Sequence, residues 1–263
     1  MKSRVETKEF VFEIENGNLV FEGDILFGDV KKKGSVAMNP LLYQSTDEDS
    51  WNYIFVNGTY KSEEDKKLHQ KHDLANGITV VNQGTINGEC RKNSGHYHLI
   101  AEGQRQPKPE LYEVLTGKAA FLIQESHNFD RKDEEIVIDS FRICILEAGE
   151  KIIIPPYCAH CCVNVGEGVM AFYNLAGPSP VDYDPITNHG GFAYFLLKQN
   201  DILIAVENKK YESVPKLEIV KAKQNVPESG IYADKSVYQA FLEEPEKFNY
   251  LNQADEFKTI LEK

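Results

Sequence analysis

The sequence predicts an all-β fold, an antiparallel β-barrel with short helical extensions at its N- and C-terminal sides. Three observations predict it. From Ile78 onward, short runs rich in Val, Ile, Tyr and Phe follow one another at close spacing. Turn residues such as Gly166-Glu167-Gly168 separate them, which favours hairpins in a closed or sandwiched sheet. Charged, helix-prone stretches lie before and after this block.

The elements follow in order. The N-terminal extension, residues 1–76, opens with two strands over 10–14 and 19–22, joined by the turn signal Asn16-Gly17-Asn18. Residues 28–50 show no period and are expected to wrap over the surface. Residues 61–72 (KSEEDKKLHQKH) read as a charged helix, with Gly77 as its stop. The barrel, residues 77–210, takes strands over 78–82, 95–100, 110–115, 118–124, 135–147, 151–155, 160–165, 169–175, 192–197 and 202–206. Residues 211–263 turn charged again and carry two helical patterns, 236–242 and 254–261, separated by Pro245. There is no internal repeat.

Composition narrows the function. A hydrophobic content of 41% over 263 residues suits one sizeable core with appendages. No apolar run approaches the roughly 18 residues that span a bilayer. The start, MKSRVETKEF, has no apolar segment or cleavage site, so a cytoplasmic location is expected. A net charge of −12 argues against nucleic acid as a partner. An anionic small ligand would need a local cradle of N–H and hydroxyl donors, because the global field repels it. Five cysteines without regular spacing give no disulfide framework.

The chemistry concentrates around His96, His98, Glu110 and His160. His96 and His98 are two apart, so on a strand both imidazoles point to one face. Glu110 opens the next strand and shares its face with Tyr112 and Val114, whereas Glu113 has the opposite parity and should point outwards. His160 follows a rigid Pro155-Pro156-Tyr157 approach. Three neutral nitrogens and one carboxylate suit one divalent ion of Fe, Mn, Zn, Ni or Co and leave positions free for water or substrate. A His–x–His alone is weak evidence, since paired surface or core histidines would look the same.

The spacing of both halves together resembles the cupin superfamily. Its first motif has His–x–His, then Glu, six residues and Gly, matched by His96, His98, Glu110 and Gly117. Its second has Gly, Pro, His and Asn, matched by Gly149, Pro155, His160 and Asn164. Tyr157 stands where many cupins have Gly, and residues 104–108 lengthen the gap before Glu110. Within the superfamily, Gly95-His96-Tyr97-His98, Glu110-Leu111-Tyr112, Leu115-Thr116-Gly117-Lys118, Ile154-Pro155-Pro156-Tyr157 and Asp182-Tyr183 look like the cupin-type (archaeal-type) glucose-6-phosphate isomerases, over roughly residues 77–210.

That resemblance implies a jelly-roll barrel, a metal on His96, His98, Glu110 and His160, and interconversion of glucose 6-phosphate with fructose 6-phosphate. It implies phosphate contacts from Thr79, Tyr157 and the turn at Asn93 and Gly95, and a Tyr112 that donates to a sugar oxygen. Glu110 is the leading base candidate, with an enediol route and a direct hydride shift both open. The sugar phosphate is then the partner, with no nucleic acid and no membrane. A homodimer is expected through sheet edges and exchange of the strands at 10–14 and 19–21. The chain departs from the family at Asn93, Cys161 and Val181, on the sugar-phosphate side of the site. Two alternatives from other classes are a non-catalytic sugar-binding cupin, favoured by the departures at Val181 and Cys161, and an Fe(II)-dependent cupin oxygenase.

Other features read blandly. Cys158-Ala159-His160-Cys161 is formally C-x-x-C, but a double proline precedes it and a β-prone run follows, so apolar packing is the better reading. His69 and His72 lie at helical spacing among Lys, Glu and Gln and are expected on a solvated face. His127 is expected to be exposed, and His189, beside Gly190-Gly191, is placed in a loop near the barrel mouth.

Overall fold

The structure, a computed structural model, describes residues 2–262. The chain opens with three antiparallel strands, β1 (Lys2–Glu6), β2 (Val11–Glu15) and β3 (Asn18–Phe21). Asn16 and Gly17 take positive φ, 52° and 73°, which suits a tight turn between twisted strands. Alternation in β2 turns Phe12 and Ile14 to one face, where they are buried with Phe10.

Next come β4 (Val30–Gly34), β5 (Trp51–Asn57), α1 (Glu63–Lys71) and β6 (Ala75–Val81). β4 corrects the expected surface wrap over 28–50. Its three consecutive lysines offer no apolar face to read, yet its backbone pairs with β5 from Val30↔Val56 onward. α1 begins at a Ser62 cap, whose hydroxyl accepts from the Asp65 N–H at 3.1 Å. It ends at His72, before Asp73 at φ 50°, and not at Gly77. Gly77 lies inside β6, where a Cβ would stand 2.5 Å from the Phe55 ring and 2.9 Å from the Val56 carbonyl.

The middle of the chain supplies β7 (Thr85–Ile86), β8 (Glu89–Cys90), β9 (Tyr97–His98), β10 (Glu110–Thr116), β11 (Lys118–Glu125), β12 (Ser140–Glu147), β13 (Lys151–Ile154), β14 (Cys158–Asn164), β15 (Met170–Ala176), β16 (Val181–Asp182) and the short α2 (Asp184–Asn188). The remainder gives β17 (Tyr194–Gln199), β18 (Ile202–Glu207), β19 (Leu217–Ala222), α3 (Val237–Glu243) and β20 (Leu261–Glu262). Two sheets dominate, in the orders β13-β10-β15-β6-β5-β4 and β14-β11-β12-β19-β20. They face one another across an interior of Tyr112, Val114, Phe121, Cys162, Met170 and Phe172. Tyr112 and Phe121, from opposite sheets, approach to 5.2 Å between ring centroids. The expected barrel is thus a pair of facing sheets, mostly antiparallel, not one continuous ring of hydrogen bonds.

Both outer faces are covered as well. Ile78, Val80, Leu111, Tyr173 and Leu175 pack outside the six-stranded sheet against Phe10, Phe12 and Ile14 and against Tyr238, Phe241, Phe248 and Leu251. Ala120, Leu122, Phe141 and Ile143 pack outside the five-stranded sheet against Met38, Leu41, Tyr194 and Leu196. Covering on both faces explains why these strands read as near-continuous apolar runs. Burying such surface, at about 25 cal/mol per Å² of apolar area, is what holds the layers together.

These covers also account for three departures from the sequence reading. His69 is fully buried instead of solvated, because α3 lays Phe241 over its ring at 4.4 Å. Glu113 does face out of the barrel, but the termini enclose it: the Val237 N–H donates to its carboxylate at 2.6 Å. The helix expected over 254–261 is only a 3₁₀ turn at Ala254–Glu256, after which β20 pairs with β19 and Ile260 is buried. Among the described residues no helix is long and apolar enough to cross a membrane.

Candidate metal centre and cleft

Gly95 is the pivot of the site. Its φ is +69°, and a Cβ there would meet the Phe192 ring at 2.5 Å and the His160 carbonyl at 2.7 Å. Only glycine allows so close an approach, and it brings His96 into a reciprocal backbone bridge with His160, at 3.3 and 3.1 Å. Tyr97 then points the other way, stacked on Phe129 at 4.3 Å with its hydroxyl accepting from Gln124. With Tyr97 anchored, His96 and His98 project together on the opposite side.

Glu110 and His160 meet them there. The ligating atoms of His96, His98, Glu110 and His160 all lie within 4.8 Å of one another. Glu110 Oε2 is 3.1 Å from His98 Nε2 and 3.1 Å from His160 Nε2. Its other oxygen accepts from Asn174 Nδ2 at 2.9 Å. His98 Nδ1 lies 2.9 Å from the Lys108 carbonyl, which can only accept, so the ring proton sits on Nδ1 and Nε2 keeps its lone pair. His160 Nδ1 is 3.3 Å from the Cys158 carbonyl, and its buried Nε2 has no hydrogen-bond partner among the described residues. An orphaned ring nitrogen beside a carboxylate oxygen and two further imidazoles is what a metal ion would satisfy, so the four residues fit one.

The electrostatics keep His96 neutral and Glu110 charged, whereas Glu110 favours a proton on His98 as long as no metal competes for it. Burial, then the neighbouring His160 and His98, hold His96 well below the usual imidazole range and therefore neutral. Burial opposes the charged form of Glu110, but its contacts with His160 and His98 outweigh it and keep the carboxyl well below 4.5. For His98 burial is likewise overcome by Glu110, and its pKa is raised. Burial and the nearby Glu110 push Tyr112 well above 10, so its hydroxyl stays protonated as a donor.

His96 and Glu110 of this cluster line a cleft of about 200 Å³. Thr79, Asn93, Gly95, Glu110 and Tyr112, all singled out in the sequence, line it. Strand parity explains their convergence: Thr79 pairs across to Phe172, and Tyr112 to Asn174, on one interior face. Asn93 is doubly engaged, its side-chain oxygen accepting from the Cys162 N–H at 2.7 Å. Tyr157 is not brought to the cleft; at φ 62° it stacks on exposed His127 at 4.6 Å. His189 stays apart too, stacked on Tyr211 at 4.4 Å. Cys158 and Cys161 take opposite faces of β14, and burial pushes both thiols up to about 12, which suits packing and not redox chemistry.

Several lining residues escaped the sequence reading: Lys31, Tyr53, Ser94 and Asn174, with Tyr183 noted there only as part of a motif. Asn174 had a signal, a polar residue at an inward position of the apolar strand β15. Asn174 lines the cleft, and its buried Oδ1 has no hydrogen-bond partner among the described residues. Tyr183 sets its ring 5.5 Å from that of His96.

Residues 32–216 match a family model described as glucose-6-phosphate isomerase (GPI). The glucose-6-phosphate isomerase of Thermococcus litoralis is 26% identical over 172 residues, 63% of this chain and 80% of that protein. The one from Pyrococcus furiosus is 24% identical over 199 residues, 73% of this chain and 94% of that protein. Among solved structures, an oxalate decarboxylase from Bacillus subtilis is similar at 14% identity with a TM-score of 0.34, over 50% of this chain and 27% of that one.

Proposed function

The chain belongs to the glucose-6-phosphate isomerase family in its cupin form, and from that premise we propose that this cleft interconverts glucose 6-phosphate and fructose 6-phosphate with one divalent metal ion per chain. The observation that carries the reading is the His96–His98–Glu110–His160 cluster, which opens through His96 and Glu110 onto a hydroxyl-lined cleft. Fe, Mn, Zn, Ni and Co all suit three imidazole nitrogens and one carboxylate. When bound, such an ion polarises the carbonyl and hydroxyl oxygens of the two reacting carbons.

The isomerisation moves one hydrogen between C1 and C2 and one proton between their oxygens, with no net oxidation. The protein's share is placement and proton control. Asn174 and Lys108 orient Glu110 and His98 through the contacts described above. Tyr112 donates from its protonated hydroxyl to a sugar oxygen. Asn174 Oδ1 takes a hydroxyl hydrogen, and Thr79 with the turn at Asn93 and Gly95 receives the phosphate end. Phe55 and Phe172 wall the cleft with apolar surface, which keeps water from the reacting carbons. The depressed pKa of Glu110 makes it a better ligand than base, which supports the route with least demand on a protein base.

With this activity go glycolysis and gluconeogenesis and a cytoplasmic location. A homodimer is part of the same proposal. Phe10, Phe12 and Ile14 are buried within their own chain, so strand exchange is not what supports it. The support is β18, at the edge of its sheet with Ile202, Leu203 and Ile204 exposed. Light scattering at micromolar concentration tests it.

The test of function is direct. Protein reconstituted separately with each of the five metals is assayed for conversion of fructose 6-phosphate to glucose 6-phosphate, with bound metal quantified. At least one form should turn over, and the His96→Ala/His98→Ala double variant should lose both metal and activity. Absence of turnover in every metal form would sink the isomerase reading.

A further inference from the structure

The far end of the cleft carries charge of the opposite kind. β4 is the edge strand of the six-stranded sheet, and its pairing fixes which way each lysine faces. Lys31 lies opposite Phe55, which lies opposite Thr79, which lies opposite Phe172. Lys33 lies opposite Tyr53, which pairs with Val81 and then Met170. Phe55, Thr79, Phe172 and Tyr53 all line the cleft, so Lys31 and Lys33 stand on its face, while Lys32 between them donates outwards to the Asn16 carbonyl at 3.1 Å. Residues i and i+2 on a strand are about 7 Å apart, a span that one phosphate group can bridge.

Neither lysine has a carboxylate partner among the described residues. In a chain of net charge −12 this leaves both ammonium groups without an internal counter-ion on the cleft's face. Lys31 lines the cleft with no hydrogen-bond partner there. Lys33 is half-buried and donates one of its hydrogens to Ser94 Oγ at 2.9 Å, which in turn lies 3.1 Å from the Tyr53 hydroxyl. Burial lowers the Lys33 pKa, so its ammonium is a partly dehydrated cation that an anion would stabilise.

We propose that Lys31 and Lys33, with Ser94 between Lys33 and Tyr53, form the anion-recognising end of this cleft and seat the substrate's phosphate monoester. The inference rests on the isomerase reading and deepens it. Two ammonium groups at one end and the metal cluster at the other give the cleft a direction, so the sugar enters with its phosphate on β4 and its C1–C2 end at Glu110. The pair also selects phosphorylated sugars over neutral ones, a preference that hydroxyl donors alone leave weak.

The test uses the whole, metal-loaded protein and two readouts. Calorimetric titration with glycerol 3-phosphate measures anion binding independently of turnover. Steady-state kinetics with fructose 6-phosphate measures its use. Lys31→Gln and Lys33→Gln should each weaken glycerol 3-phosphate binding about 10-fold, and the double variant on the order of 100-fold. The loss in turnover should fall on KM rather than kcat, metal content should stay at the wild-type level, and the Lys31→Arg/Lys33→Arg protein should recover binding. Wild-type affinity should fall with added salt, and that dependence should flatten in the double Gln variant. Undiminished glycerol 3-phosphate binding by a folded double Gln variant overturns the proposal. Lysine-dependent binding in a protein that isomerises nothing with any metal would leave this subsite standing and remove the isomerase reading instead.

Discussion

Asn174 decides which oxygen of Glu110 is left to face the imidazoles. It donates to Oε1 and so turns Oε2 towards the two Nε2 atoms. Asn174→Ala should therefore weaken metal affinity by about 10- to 100-fold without unfolding the barrel, as read by competition with a chelator. Glu110→Gln probes the ligand itself. It keeps size and an oxygen donor, so part of the metal should remain while kcat falls by orders of magnitude, whereas Tyr112→Phe should cost roughly 10- to 100-fold. A Glu110→Gln enzyme with near-normal kcat would show that its charge does nothing in the reaction. At this scale the four candidate ligands were legible because His96, His98, Glu110 and Gly117 stand together with Gly149, Pro155, His160 and Asn164 at the spacing of two motif halves, where the histidine pair alone would have said little. Tyr53, Ser94 and Asn174 were not. Polar residues are common in strands, and which ones share a face depends on pairing between segments far apart, such as β5 with β6 and β15 with β10.

The strands of the barrel were readable because Val, Ile and aromatic runs broken by Gly turns leave little else to form. β4 was not, since a run of three lysines is set in place by its backbone partner and by the cleft it faces, not by its own pattern. The 254–261 stretch failed for a related reason: β19 needed an edge partner, and β20 supplies it. Long-range pairing overrides local helix propensity in both places. The N-terminal hairpin, read correctly as strands, has a use the sequence could not show, for it roofs the outer face of the six-stranded sheet. Phe10 packs against Tyr173 at 6.4 Å and Tyr238 at 5.1 Å, and Phe12 is wholly buried beside them. Phe12→Ala should cost about 3–5 kcal/mol in a denaturant titration, mostly as a cavity between hairpin and sheet. A change of less than 1 kcal/mol would mean that the hairpin is only loosely seated.

Across the whole molecule, three apolar layers stack through the two sheets, and Glu113 lies where the outermost one is sealed. Lys8, Glu9, Ser236 and Lys151 surround it, with the Lys151 ammonium 3.9 Å away. Burial, only partly offset by Lys151 and the Val237 N–H, raises its pKa from 4.5 to about 7. The folded protein therefore binds this proton more tightly than the unfolded chain. The contribution to stability is full below pH 4.5 and is lost as pH rises through about 7. Over that window it should amount to at most 2–3 kcal/mol, order of magnitude. Glu113→Gln should flatten the fall in melting temperature between pH 5 and pH 8; an equally steep fall in the variant would acquit Glu113. The seal has a further consequence for how the protein comes to exist. Phe10 and Phe12 are made before the sheet they cover, whereas Phe241, Phe248 and Ile260, which complete the same cover, are made after it. A chain emerging from the ribosome must carry Ile78, Val80, Leu111 and Tyr173 half-roofed until that later segment is released. Vectorial synthesis therefore seals this sheet well after it is made, and any chain halted after β15 would be a client for chaperones with its candidate ligands already present and its sheet unsealed.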